Sequence, residues 1–201
     1  MIRFFFWFGI GLAAGAVVAS FFEWTLHRFP MHKRMRVFRY PFEKHALVHH
    51  HVFKGDATYH LIHAEDRKTI PKAWWNGPVL VSVVLLPFLA ASFFMHRWGF
   101  LSGAALACMV YFTAYEYMHW CMHLPKGRHM ERSGIFYRLN GHHLLHHRYM
   151  NKNFNVVLPL ADLLLGTIRL RSKIGFLQPQ GPSVPNVQPR ERKLKRTHSP
   201  A

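Results

Sequence analysis

Ten histidines stand at spacings that can turn several imidazole rings toward a shared centre. They occur as His27-Arg-Phe-Pro-Met-His32, as His45-Ala-Leu-Val-His49-His50, as His119-Trp-Cys-Met-His123 and as His143-Leu-Leu-His146-His147. Neutral imidazole is the commonest side-chain ligand for metals, and a nitrogen-rich set with few carboxylates nearby favours a transition metal over Mg²⁺ or Ca²⁺. The 201 residues include 17 histidines but only two cysteines, Cys108 and Cys121. Cys108 sits inside an apolar run, so neither a disulfide scaffold nor a cysteine zinc site is supported.

Helical geometry sorts these residues. Positions three and four apart share a helix face, so His119 and His123 project together, as do His143, His146 and His147. His142 and His146 are also four apart, which leaves both His142 and His143 eligible, with His143 the expected ligand. His27 and His32 are five apart, about 140° around an uninterrupted α-helix and a poor shared site. Pro30 is expected to end or kink the helix near Phe29, leaving His27 on its last turn and His32 on the following segment. His45 and His49 share a face, with His50 about 100° further round and able to reach an adjacent ion. His51, His60 and His63 read as outer partners of the ligands or as surface residues. His96, His129 and His198 are isolated and read as hydrogen-bonded structural residues.

The elements that carry these groups are apolar and long. Half of the residues are hydrophobic, with 18 Phe and 6 Trp, which points to a membrane protein. Phe4 to Phe22 and Trp98 to Tyr115 are runs without charge, and Val79 to Met95, containing Pro87 and preceded by Gly77-Pro78, is a third. Each is long enough to cross hydrocarbon as a helix. The second and third are joined by little more than His96 and Arg97, so they form an antiparallel hairpin. Trp24, Trp74, Trp75, Trp98 and Trp120 fall at the span ends, where indole favours the headgroup layer.

A net charge of +17 raises nucleic acid, anionic lipid or topology as its cause. No helix-turn-helix, zinc-finger or RNP pattern accompanies the charge, which argues against nucleic acid. The basic residues cluster from Arg28 to Lys72 and from Lys126 to Arg196, with only Arg3 and Arg97 on the other side, so every histidine group is expected to face the cytoplasm. Cleavage of a signal peptide after Val17-Val18-Ala19 would export most of that positive charge, so the first run reads as a retained span. Gly11-Leu-Ala-Ala-Gly15 is a weak signal for a helix-packing face. Leu177 to Ala201, with its basic run Arg190 to Arg196, has too little apolar content to bury and reads as a disordered tail. The expectation is an all-α integral membrane helical bundle with a cytoplasmic histidine-rich helical cap, one domain over residues 1–176. No ionisable residue occupies a span centre, where a metal transporter would be expected to place its ligands. The arrangement suits a metal site fed from the lipid.

Taken in order, His27 to His32, His45 to His50 and His143 to His147 resemble the HX4H, HX3HH and HX2HH boxes of the histidine-rich fatty acid hydroxylase and sterol desaturase superfamily. Tyr115-Glu116-Tyr-Met-His119-Trp-Cys-Met-His123 resembles that family's additional box, with Glu116 where Asp is usual. Asn153 to Thr167, including Asn155, Asp162 and Gly166, resembles the stretch that follows the last box. The resemblance covers most of the chain. It implies a non-haem di-iron membrane oxygenase that hydroxylates or desaturates a lipid acyl or related hydrocarbon chain. Its cofactors would be two iron ions, bound by the ten histidines above, with O2 and electrons from a cytochrome b5-like protein or a ferredoxin with its reductase. Zinc would fit the ligands but not the chemistry. Glu116 is expected to orient His119 or a neighbouring ligand by accepting an imidazole N–H. Asp162 and Asn155 are expected to be structural. A carotenoid ring hydroxylase is the nearest alternative, because Glu23 to His32 resembles that family too. From another class, a histidine-rich membrane metal transporter or buffer is the competing reading.

Overall fold

The computed structural model describes residues 1–170; the stretch Leu177 to Ala201, expected to be a disordered tail, lies outside the described residues. The regular elements are α1 (Ile2–Leu26), α2 (Tyr40–Phe42), α3 (His50–Val52), α4 (Asn76–Met95), α5 (Trp98–His123), α6 (Gly134–Arg148) and α7 (Leu160–Leu164). Among the described residues every regular element is helical. Ile2–Met31, Asn76–Met95 and Trp98–His123 are long and apolar enough to cross a membrane, with mean hydropathies of 1.9, 2.3 and 1.3.

Glycines set how closely the first and third of these helices approach. A Cβ on Gly11 would overlap the Phe100 carbonyl, and one on Gly103 would overlap the Phe8 carbonyl. Gly15 lies against Ala104 and Gly99 against Phe4, so α1 and α5 run parallel with backbones nearly touching. α4 leans on α5, with Val84 and Phe88 packed on Ala104 and Cys108. The reversal between α4 and α5 is made at His96, whose φ of 53° is left-handed, as at many helix C-termini. On the outer surface Val83, Leu86, Phe93 and Phe94 are exposed, as expected of side chains that face hydrocarbon.

Because α1 and α5 are parallel and α4 is antiparallel to α5, the C-termini of α1 and α5 lie at the same end as the N-terminus of α4. The remaining helices gather there as a cap. Its core joins Tyr59 to Met118, Met122, Phe136 and Val156. α6 opens with Ser133, whose Oγ accepts from the Phe136 amide at 3.1 Å, the usual capping bond of a helix start.

Two departures from the sequence expectations bear on the site. Pro30 does not end the first helix: the backbone continues through a π-helical turn, His27–Met31, with Pro30 inside it. The wider i→i+5 turn relieves the clash a proline ring makes with the carbonyl four residues back in an α-helix. α5 runs on past Tyr115 to His123, so the third histidine pair continues the span itself. Trp24 also points inward: it is buried and donates from Nε1 to Thr167 Oγ1 at 2.8 Å instead of lining a headgroup belt.

Candidate metal centre

All ten grouped histidines converge at this end of the bundle, as two sets of five. His27, His32, His45, His50 and His146 form one set, and His49, His119, His123, His143 and His147 the other; within each set one nitrogen per ring lies within 4.8 Å of all the others. The closest Nε2 pairs are His27 with His45 at 2.8 Å, His45 with His50 at 3.0 Å and His147 with His143 at 3.0 Å. Imidazole nitrogens about 2.1 Å from one ion and at right angles around it are about 3 Å apart, so this spacing fits a shared ion. The two sets adjoin. His50 of the first stacks on His147 of the second with ring centroids 4.2 Å apart, and His45 stacks on His49 at 5.1 Å.

The division into sets follows from helix type. A second π-helical segment, Glu43–His49, carries the middle group. In i→i+5 geometry residues five apart fall above one another, so His45 pairs with His50 and His27 stacks on His32 at 5.2 Å. The expectation that His45 and His49 share a site, drawn from α-helical spacing, is therefore corrected: His49 turns to the second set. On α6, where the turn is α-helical, His143 and His147 share one set and His146 faces the other. His142 belongs to neither, because its Nε2 bonds Asp162 Oδ2 at 3.0 Å. His51, His60, His63, His96 and His129 also lie outside both sets, and His198 lies outside the described residues.

Backbone carbonyls orient half of the rings. His27 Nδ1 donates to the Phe154 carbonyl at 2.5 Å, His49 Nδ1 to Thr69 at 3.2 Å and His123 Nδ1 to Tyr59 at 2.8 Å. His146 Nδ1 donates to Lys152 at 2.8 Å and His147 Nδ1 to Phe53 at 2.6 Å. With the proton on Nδ1, Nε2 presents a lone pair toward the centre, the tautomer a metal needs. The buried Nδ1 atoms of His50 and His143 have no protein partner. Burial also keeps these rings neutral. It holds His32 down to about 4 and, with the neighbouring His32, holds His146 down to about 3. His45, His49, His50, His143 and His147 lie well below the ordinary imidazole value, first through burial and then through the neighbouring imidazoles.

Two carboxylates hold the segment that orients His27. Asp162 accepts from the amides of Phe154 at 3.0 Å and Asn155 at 2.7 Å, and Glu23 accepts from the amide of Val156 at 2.7 Å. Three successive N–H groups thus end on buried acids, and the Phe154 carbonyl faces His27. Glu23 is further fixed by Tyr111 Oη at 2.5 Å and Asn155 Nδ2 at 3.0 Å. Burial alone would raise the Asp162 carboxyl, but the bonds from His142, Thr167, Asn155 and Phe154 outweigh it and hold the group below the usual carboxylate range. Asp162 and Asn155, expected to be structural only, therefore act on a ring of the site. The polar spacing from Asn153 to Thr167 was their visible signal; Glu23 had none beyond its place one turn before His27.

Glu116 departs from expectation. Its carboxylate accepts from the Lys72 amide and ammonium, both at 3.1 Å, and not from an imidazole. The Lys72 ammonium lies 3.3 Å from the centre of the Tyr115 ring, which stacks on His119 at 5.6 Å. A buried cation next to the bilayer takes its counter-charge from Glu116, so the acid reaches the site only through Lys72 and Tyr115. No protein-family model, curated protein or solved structure matches this chain.

Proposed function

We propose that the protein is a di-iron, O2-dependent membrane oxidoreductase that hydroxylates or desaturates a lipid hydrocarbon chain. The observation that carries this reading is the adjoining pair of five-imidazole sets at one end of three candidate spans. Five converging nitrogens exceed the four positions of a closed tetrahedral zinc site and suit a larger coordination sphere with a position left for a reactant. Iron bound there would supply the activation of O2. The ligand histidines fit such ions: they are neutral, buried and largely fixed in tautomer by carbonyls.

Hydroxylation consumes one C–H bond, O2, two electrons and two protons, and yields an alcohol and water. Desaturation takes the same inputs, removes two hydrogens from adjacent carbons and yields two waters. The electrons come one at a time from a carrier protein, cytochrome b5-like or a ferredoxin with its reductase. The excess of Lys and Arg at the cap end orients that end toward the cytoplasm, where such carriers are found. The chain's own task is to hold ten nitrogens in place, keep the site dry and leave an apolar approach to it. The protein is similar in its histidine boxes to the fatty acid hydroxylase and sterol desaturase superfamily, and this reading assigns it there.

The test is turnover with labelled oxygen. Full-length protein in bilayers, loaded with iron and supplied with ferredoxin, reductase and heavy-isotope O2, should yield lipid that gains one labelled oxygen or loses two hydrogens. His146→Ala should abolish product while membrane insertion persists. Unchanged lipids from iron-loaded, reduced protein would defeat the reading, and metal uptake into proteoliposomes without lipid change would favour transport.

A further inference from the structure

Between α1, α4 and α5 lies a cleft that the metal-centre side chains do not fill. It encloses about 540 Å³ of empty space, partly open to the surroundings, around a cavity of about 60 Å³. One end is bounded by His27, Lys72 and Tyr115, so it touches a ring of the first histidine set and the residue stacked on His119 of the second. The other end is bounded by Ala19, Val84 and Cys108. Eight residues separate His27 from Ala19 along α1, which makes the cleft about 12 Å deep at a helical rise of 1.5 Å per residue.

Its lining is hydrocarbon. Phe22, Leu26, Leu80, Val81 and Phe112 form the walls. The polar atoms of Glu23 and Tyr111, which also border it, are spent on one another and on the 154–156 segment. The lining residues other than Lys72 belong to candidate spans, so the medium that meets the opening is lipid. A cavity this small around so slender a slot admits a single file of methylenes and no ring system. At the His27 end, Met31 lines the cleft and is followed by Lys33, Arg34, Arg36 and Arg39, which suit the phosphate of a headgroup.

We propose that this cleft takes one unbranched acyl chain of a bilayer phospholipid, with its terminal methyl against Ala19, Val84 and Cys108. The depth of that floor fixes which carbon stands beside His27. The site names the substrate class of the oxygenase reading and rests on that reading for the fate of the carbon, but occupancy of the cleft does not depend on turnover.

Photocrosslinking tests it. Full-length protein in bilayers, with and without iron, is exposed to palmitoyl phosphatidylcholine bearing a diazirine at the terminal carbon or beside the ester. The terminal probe should label Ala19, Val84 or Cys108, and the ester-proximal probe should label Leu26 to Met31. Val81→Trp, which fills the slot from a wall, should lower floor labelling by about tenfold or more. Ala19→Leu, a milder change should Val81→Trp fail to fold, should move the terminal label one helical turn toward Phe22. Labelling confined to the outward residues Val83, Leu86 and Phe93, or floor labelling undiminished in both variants, would overturn the proposal. Floor labelling without oxidised lipid would support the cleft and defeat the oxygenase reading; oxidised lipid without floor labelling would do the reverse.

Discussion

Asp162→Asn separates the two histidine sets. Asp162 is fully buried and accepts four bonds: Phe154 N and Thr167 Oγ1 on Oδ1, and Asn155 N and His142 Nε2 on Oδ2. An amide offers one accepting oxygen and one NH2. If the NH2 takes the Oδ1 place, the Thr167 hydroxyl can rotate to accept, but the Phe154 N–H faces a donor. If it takes the Oδ2 place, the His142 ring can change tautomer, but the Asn155 N–H faces a donor. Either way one buried backbone donor is stranded and the rest lose a charged acceptor, a cost of about 3 kcal/mol. The loosened segment carries the Phe154 carbonyl that orients His27. Loss of such an orienting partner lowers metal affinity by roughly 10–100-fold. The carbonyls that orient the second set, from Thr69, Tyr59 and Phe53, lie on other segments and are untouched. Chelator competition on metal-loaded protein should therefore show one of two ions released far more readily in the variant. Equal weakening of both ions, or of neither, would refute the role assigned to Asp162.

His123→Ala removes one of the five donors of the second set and should take metal content from about two ions per chain toward one, read by elemental analysis; loss of both ions would mean that the sets do not bind independently. The metal-free protein should lose stability in acid: buried rings with folded values of about 4 at His32 and about 3 at His146 bind fewer protons than the unfolded chain once pH drops below 6.5. Each such group contributes a slope of about 1.4 kcal/mol per pH unit, so unfolding followed from pH 7.5 to 5 should show a steep decline, and a flat profile would contradict the burial. Gly103→Leu must push α5 away from the Phe8 carbonyl and should lower the thermal midpoint in detergent, whereas Gly9→Leu, at a position with nothing within 4 Å of an added Cβ, should not.

Some of this was legible in the chain and some was not, for physical reasons. The three spans follow from uncharged apolar runs, since hydrocarbon leaves no alternative to a helix that satisfies its own backbone. The ten histidines stand out because imidazoles rarely cluster without a common partner. Their division into sets was hidden, because it depends on two π-helical segments, and i→i+5 bonding is chosen by packing around Pro30 and Glu43–His49 and not by local preference. Glu23 and Val156 are 133 positions apart, so no local spacing could join them. The orienting carbonyls were invisible for a simpler reason: every residue has one, and sequence does not say where it points.

Metal should organise the cap and leave the bundle alone. The first set ties α1, through His27, to the 43–52 segment, through His45 and His50, and to α6, through His146. The second ties α5 to the same segment through His49 and to α6 through His143 and His147. The segment and α6 are thus the only pieces present in both sets, while α1 and α5 already hold each other by close glycine packing. An ion that binds the folded site and not the unfolded chain stabilises what its ligands join, and that gain concentrates on pieces with least support of their own. α3 and its π-helical neighbour are short and could not persist alone. Hydrogen exchange should therefore slow on adding iron across residues 43–52 and Gly134–Arg148, with little change in the middles of α1, α4 and α5. Protection rising evenly along the chain, or confined to the spans, would show that the imidazoles do not bridge cap to bundle through bound ions.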